Sequence, residues 1–236
     1  MIINKKSLLF SVFLLLTGCA TSPETEEQIE KPGEVLYQEA LDAVKDKKPQ
    51  EAAPKFEEVE RQHPYSDLAP RAQIMAAWAF YEGNQYPRAI AALDRFVELN
   101  PTNKMVEYAY YLKALCFYEQ IVDVERDAEM TKLALSAFEE LVRRFPNGNY
   151  ARDGQLKIDL TKTQLAGKEM AVGRFYLKRE QYVAAVRRFD IVITDYDTTN
   201  QVPEALYRKA AALFALGLNG QSKRIFEVAK YNYPNS

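Results

Sequence analysis

Five segments of this 236-residue chain share one register. Each has a small residue, a large apolar residue four positions later, an apolar residue three beyond that, and a stop five further on. They read Ala52, Phe56, Val59, Pro64; Ala89, Leu93, Phe96, Pro101; Ala134, Phe138, Leu141, Pro146; Ala185, Phe189, Val192, with Asp197 in the proline's place; and Ser222, Phe226, Ala229, Pro234. Nine residues before the small residue of four segments lie Ala43, Phe80, Tyr176 and Leu213, and three before those lie Ala40, Ala77, Gly173 and Ala210. Residues spaced by three and four share one face of a helix, so each unit reads as a helix A followed by a helix B. The small residue admits helix A at close range and the large residues fill the gap. Proline, lacking an amide hydrogen, stops helix B. A hairpin of this kind cannot bury its apolar face alone and has to stack on its neighbours.

The spacing is similar to that of the tetratricopeptide repeat, over about 200 residues. The fold this implies is all-α, a right-handed superhelix of five helix hairpins, with repeats one to three over 33–151 and repeats four and five over 152–236. The departures from the period carry information. Successive stops are 37, 45, 51 and 37 residues apart. The third repeat therefore carries an insertion around Ile121 to Ala128. The fourth carries a longer one around Arg152 to Leu165, enough for roughly four helical turns. Insertions in such arrays fall on one face, often a binding face. At the far end no polar capping helix follows the fifth repeat, although solenoids need a polar end. Either a partner covers that face, or Gln221, Lys223, Lys230 and Asn232 make helix B polar enough.

By resemblance to the repeat family, positions 2, 5, 9 and 12 of each A helix line the concave surface. In repeat one these are Glu34, Tyr37, Leu41 and Val44; in repeat two, Arg71, Ile74, Trp78 and Tyr81; in repeat three, Tyr108, Tyr111, Leu115 and Tyr118; in repeat four, Gly167, Met170, Arg174 and Leu177. The first three repeats thus offer an aromatic trough that includes the only tryptophan. Two readings stand side by side: an apolar trough rimmed by polar groups receives an extended peptide, or the same stripe packs repeat against repeat. On the first reading, Arg71 at the edge holds a terminal carboxylate through a charge-assisted pair.

The N-terminus fixes the address. Lys5 and Lys6 precede an apolar run from Leu8 to Leu16, too short to span a bilayer, and then comes Leu16-Thr17-Gly18-Cys19. This order resembles a bacterial lipobox, in which residues 1–18 form a lipoprotein signal peptide and Cys19 is acylated as the first mature residue. Several acyl chains on one terminus make a durable anchor. Ala20 after the cysteine, rather than aspartate, is similar to lipoproteins sorted to the periplasmic face of the outer membrane. Residues 19–32 are acidic, proline-punctuated and aperiodic, and read as a lipidated disordered tether. With Cys19 acylated, Cys116 is the only remaining thiol, so no intrachain disulfide forms; its apolar helical setting suits a small buried hydrophobe.

Without the leader, 29 basic residues face 33 acidic ones, a balance that argues against nucleic acid, which needs a basic footprint. The single histidine, His63, precedes Pro64 with no serine or cysteine nucleophile nearby, and a capping or solvent role fits it better than catalysis. No glycine-rich phosphate loop, metal-ligand spacing or nucleophile elbow appears. The reading is therefore of a non-enzyme without cofactor or metal. Arg143-Arg144 and Arg187-Arg188 fall on B helices as solvated or docking faces.

Lipobox, short acidic tether and five repeats together resemble the BamD (ComL-like) lipoprotein family of the β-barrel assembly machinery, from Cys19 onward. The strings that carry the resemblance are Leu36-Tyr37-Gln38-Glu39-Ala40; Leu93-Asp94-Arg95-Phe96 with Asn100-Pro101; Phe145-Pro146-Asn147-Gly148-Asn149-Tyr150-Ala151; and Leu165-Ala166-Gly167-Lys168-Glu169 leading into Arg174-Phe175-Tyr176. The resemblance implies a protein on the inner leaflet of the outer membrane that binds the periplasmic domains of the insertase BamA through its C-terminal repeats, in company with other lipoproteins of the complex. It further implies that the N-terminal repeats receive the aromatic-ended C-terminal signals of unfolded outer-membrane proteins. Substrate-peptide residues are then Tyr37, Arg71, Ile74, Trp78, Tyr81, Tyr108, Tyr111 and Tyr118, and Arg188 with Arg187 touches the partner. Two other readings share anchor and repeats: an adaptor lipoprotein for peptidoglycan enzymes, and a pilotin escorting a secretin.

Overall fold

Ten helices run in sequence through residues 30–121 and 128–234, the residues described by a computed structural model. The leader, Cys19 and nearly all of the tether lie outside the described residues, as do 122–127 of the third-repeat insertion. The helices pair as five hairpins: α1 (Gly33–Lys45) with α2 (Pro49–Gln62), α3 (Ala69–Glu82) with α4 (Tyr86–Leu99), α5 (Val106–Tyr118) with α6 (Glu129–Arg144), α7 (Ala151–Lys178) with α8 (Tyr182–Asp195), and α9 (Val202–Ala215) with α10 (Asn219–Asn232). Each packs chiefly on its neighbours in sequence, the stacking that the repeat register demands. Among the described residues no helix is long and apolar enough to cross a membrane.

The boundaries repeat as the markers do. Prolines 49, 70, 87 and 203 occupy first turns, where a missing amide hydrogen has no intrahelical partner to lose. The B helices end on His63, Asn100, Phe145, Tyr196 and Tyr233, all with φ between −134° and −126° and ψ between 38° and 63°. Tyr196 adopts this geometry in front of Asp197, so proline reinforces the break without being required for it. There the Thr199 amide and hydroxyl both donate to the Tyr196 carbonyl, at 3.0 and 2.8 Å. The A-to-B turns of repeats one, two, four and five each place one residue in the left-handed region: Lys47, Asn84, Glu180 and Gly217, with φ from 56° to 79°. Each turn closes with a 6→1 bond, such as Lys48 N–H to Ala43 O and Leu218 N–H to Leu213 O. Only repeat five uses the residue best suited to that conformation.

The small–large–apolar triplets are buried in the first four repeats: Ala52, Phe56, Val59; Ala89, Leu93, Phe96; Ala134, Phe138, Leu141; and Ala185, Phe189, Val192. In α10 the pattern persists but no residue is fully buried. The fourth-repeat insertion is a helix extension. Helix α7 has 28 residues where the other nine have 13 to 16. It serves two cores, with Ile158 beside Phe138 and Leu141, and Leu165 and Met170 beside Phe189 and Val192. Between α2, α3 and α4, a polar ladder joins Arg95 to Glu60, Glu60 to Gln73 (2.7 Å) and Gln73 to Asn100 (2.9 Å). It satisfies the one buried glutamine of the N-terminal core.

Cys116 is fully buried, and burial pushes its thiol pKa up to about 12. In a Cys19→Ser variant, alkylation at pH 8 is therefore expected to be negligible for the native protein and complete in denaturant. Rapid native labelling would show that α5 opens freely.

Candidate functional site

The A helices of repeats one to three carry the residues that the sequence nominates, and contacts within and between repeats hold several of them in place. On α1, the half-buried Tyr37 meets Phe56 edge-on (5.3 Å between centroids). Its hydroxyl pKa is raised by burial and drawn back by the charge of Arg71, which places the exposed Arg71 guanidinium close by. Trp78 is half-buried against the N-terminal core, with Leu41, Val44 and Tyr81. Tyr81 stands edge-on to Tyr86 at 6.0 Å, and its hydroxyl is pushed up to about 12, first by burial and then by Glu119. Ile74 departs from the expectation. It is only 4% exposed and belongs to the core, because α3 packs against both α2 and α4 and its apolar residues are largely enclosed.

On α5, both readings of the aromatic stripe hold in part. Tyr111 stacks on Tyr150 at 4.6 Å and 20°, and its hydroxyl donates to Asp153 Oδ2 at 2.8 Å; burial and that bond raise its pKa. Tyr118 meets Phe138 edge-on at 6.1 Å beneath the Lys157 amine (4.6 Å). These contacts pack α5 against α6, the α6–α7 turn and the start of α7. Tyr108 lies 5.5 Å from Tyr150, and its hydroxyl is pushed up to about 12 by burial, then by Tyr150 and Tyr81. Tyr81 also acts on Tyr111, so the aromatic groups of α3, α5 and the α6–α7 turn form one neighbourhood. Each ring remains partly exposed.

Sequence reasoning missed Tyr150, which lies between helices rather than at an A-helix position. A signal was present: two residues after each B-helix stop stand Ser66, Asn103 and Thr199, but in the third loop a glycine, Gly148.

In the C-terminal half, Arg187 and Arg188 line one cleft of about 780 Å³ with Tyr176, Val183, Ile191 and Leu216. Arg188 Nη1 donates to Glu169 Oε2 at 2.9 Å, which joins α8 to α7 and orients its guanidinium. Arg187 is exposed. A second cleft of about 600 Å³ opens over Tyr207, Phe226 and Tyr233 at the α9–α10 end. Met170 is fully buried and Arg174 pairs with Glu204 (3.1 Å), so the fourth repeat does not continue the aromatic surface.

The comparisons with known proteins agree with one another. A family model described as outer membrane lipoprotein, YfiO, matches residues 29–228. An outer membrane protein assembly factor BamD from Caulobacter vibrioides is 47% identical over 221 residues, covering 93% of this chain and 72% of that one. The BamD of Rickettsia prowazekii is 42% identical over 98% of this chain and 91% of its own length. That of a Neisseria meningitidis strain is 33% identical, over 98% and 92%. This chain, with its five helix hairpins and matched over most of its length, belongs to the YfiO family of outer membrane lipoproteins, together with the BamD proteins.

Proposed function

We propose that this chain is a lipid-anchored scaffold of outer-membrane protein assembly, tethered through Cys19 at the periplasmic face of the outer membrane. The role in assembly and the association with the outer membrane follow from its family. On this reading the tyrosine-rich face of repeats one to three receives the aromatic-ended C-terminal segments of unfolded outer-membrane proteins. The cleft at Arg187 and Arg188 docks the periplasmic domains of BamA, and further lipoproteins of the complex join the same scaffold. It acts by binding and hand-over, not by catalysis. The observation that carries the reading is the set of partly exposed Trp78, Tyr81, Tyr108 and Tyr111 on adjacent A helices, with Tyr37 on α1 and the exposed Arg71 on α3. Aromatic side chains supply large contact area at low conformational cost, and an arginine recognises a carboxylate.

A pull-down from solubilised outer membranes, using the full chain with a C-terminal tag, tests the partner. BamA in roughly stoichiometric amount is the expected result, and Arg188→Glu is expected to reduce its recovery several-fold. A murein hydrolase or a secretin in BamA's place would overturn the assembly reading. For the substrate face, Trp78→Ala is expected to weaken binding of a peptide ending in phenylalanine by at least about tenfold, the range for a central aromatic anchor, with helicity unchanged. Equal affinity in variant and parent would sink it.

A further inference from the structure

The four loops that join one repeat to the next are built on one plan. In each, the residue two after the stop gives its amide to the last helical cap: Ser66 N–H to His63 O, Asn103 to Asn100, Gly148 to Phe145, and Thr199 to Tyr196, at 3.0 to 3.1 Å. Its carbonyl in turn accepts the amide three residues on, from Ala69, Val106, Ala151 and Val202. In the second loop the side chain at this position also acts as a cap, for Asn103 Oδ1 accepts the Met105 amide at 2.9 Å. The third loop has no side chain there. The equivalent amide, that of Tyr150, donates instead to Glu107 Oε1 at 2.8 Å, across 43 residues of sequence. The Glu107 carboxylate fills the space a side chain at 148 would take, since a Cβ added to Gly148 would lie 2.5 Å from Glu107 Cδ. Helix α5 therefore supplies the cap that the loop lacks.

The residue held by that bond is Tyr150, whose ring stacks on Tyr111 and tilts over Tyr108. We propose that Glu107 is a positioning residue for the substrate face, and that Tyr150, fixed by it, is part of the aromatic wall that receives the peptide. This rests on the reading of that face as a peptide site. The physical content is preorganisation. With the Tyr150 backbone tied to α5, the three rings are set before the peptide arrives, and no ordering entropy is spent at binding. Without the bond, the cap of α7 loses a charge-assisted partner, and the ring samples other positions relative to Tyr111.

The test is the dissociation constant of the full chain, in detergent, for a fluorescent peptide ending in phenylalanine, with melting temperature measured in parallel. Glu107→Ala is expected to weaken binding about threefold to tenfold. Glu107→Gln keeps the acceptor and is expected to bind as the parent does. Adding Gly148→Asn to Glu107→Ala restores a local cap of the Asn103 kind in the vacated space, and is expected to recover most of the affinity. The proposal is overturned if Glu107→Ala binds like the parent, or if the double variant regains its melting temperature but not its affinity. Should Glu107→Ala fail to fold, Tyr150→Leu decides, with parental affinity overturning the role of the ring. Trp78→Ala separates the two levels. If it too leaves affinity unchanged, the peptide face itself is wrong; if it weakens binding while Glu107→Ala and Tyr150→Leu do not, only the positioning role falls.

Discussion

Phe189→Ala is expected to destabilise the protein by about 3–5 kcal/mol, the range for removing a fully enclosed phenylalanine, whereas Phe226→Ala is expected to cost under about 1 kcal/mol. The two occupy the same place in the repeat register, four residues after Ala185 and Ser222. Phe189 is 0% exposed because α7 covers it from its own hairpin and α9 packs on α8 from the next. Phe226 is 47% exposed in α10, a helix whose only close neighbour among the described residues is α9. The hydrophobic contribution scales with area withdrawn from water, and the cavity term arises only where neighbours cannot collapse. Thermal unfolding of the full chain in detergent checks this. A fall of about 10 °C for Phe189→Ala against a degree or two for Phe226→Ala is expected. Equal losses at both sites would mean that α10 is covered as the internal helices are.

The second prediction reverses an ordinary helix rule. Gly→Ala inside a helix normally gains close to 1 kcal/mol. Two glycines of α7 meet different surroundings. A Cβ at Gly167 touches nothing within 4 Å, while one at Gly173 lies 2.5 Å from Cε1 and 2.9 Å from Cδ1 of Phe189. That ring is enclosed and has no route to yield without moving α8 away from α7. Gly167→Ala is thus expected to stabilise by about 0.5–1 kcal/mol, and Gly173→Ala to destabilise by about 1–3 kcal/mol through overpacking. Phe189→Leu in the Gly173→Ala background is expected to recover part of the loss by giving back space. Denaturant midpoints of the three variants suffice. A gain at Gly173 equal to that at Gly167 would contradict the close approach of the two helices.

Much of this was legible because tetratricopeptide-like packing is local. Ala52–Phe56–Val59 and its counterparts in repeats two to four sit at helical spacing and meet helices adjacent in sequence, so the register names these core residues. The residues that escaped it act at long range. Tyr150 is recruited by Tyr111 and Tyr108 from 39 and 42 residues away, Glu107 reaches the Tyr150 amide across a whole hairpin, and Gln73 joins Glu60 and Asn100 on flanking helices. No periodicity records such pairs. Ile74 failed as a surface residue for a related reason. Which face of α3 is enclosed depends on the angle at which α2 and α4 meet it, and that angle is not written in the spacing of α3 itself.

By itself, then, the sequence determined the number of hairpins, their ends and the packing triplets of the first four repeats, since helix periodicity, close small residues and proline stops are properties of neighbouring positions. It also placed Cys116 in an apolar interior and located the extra length of the fourth repeat, while only the structure showed that length to be a continuous extension of α7. Only the tertiary structure decided which aromatics remain partly exposed, that Arg188 is oriented by Glu169, and that the glycine of the third loop is completed by a carboxylate from another helix. Those outcomes depend on side-chain directions once helices are docked, and docking sums contacts over many residues that no short segment contains.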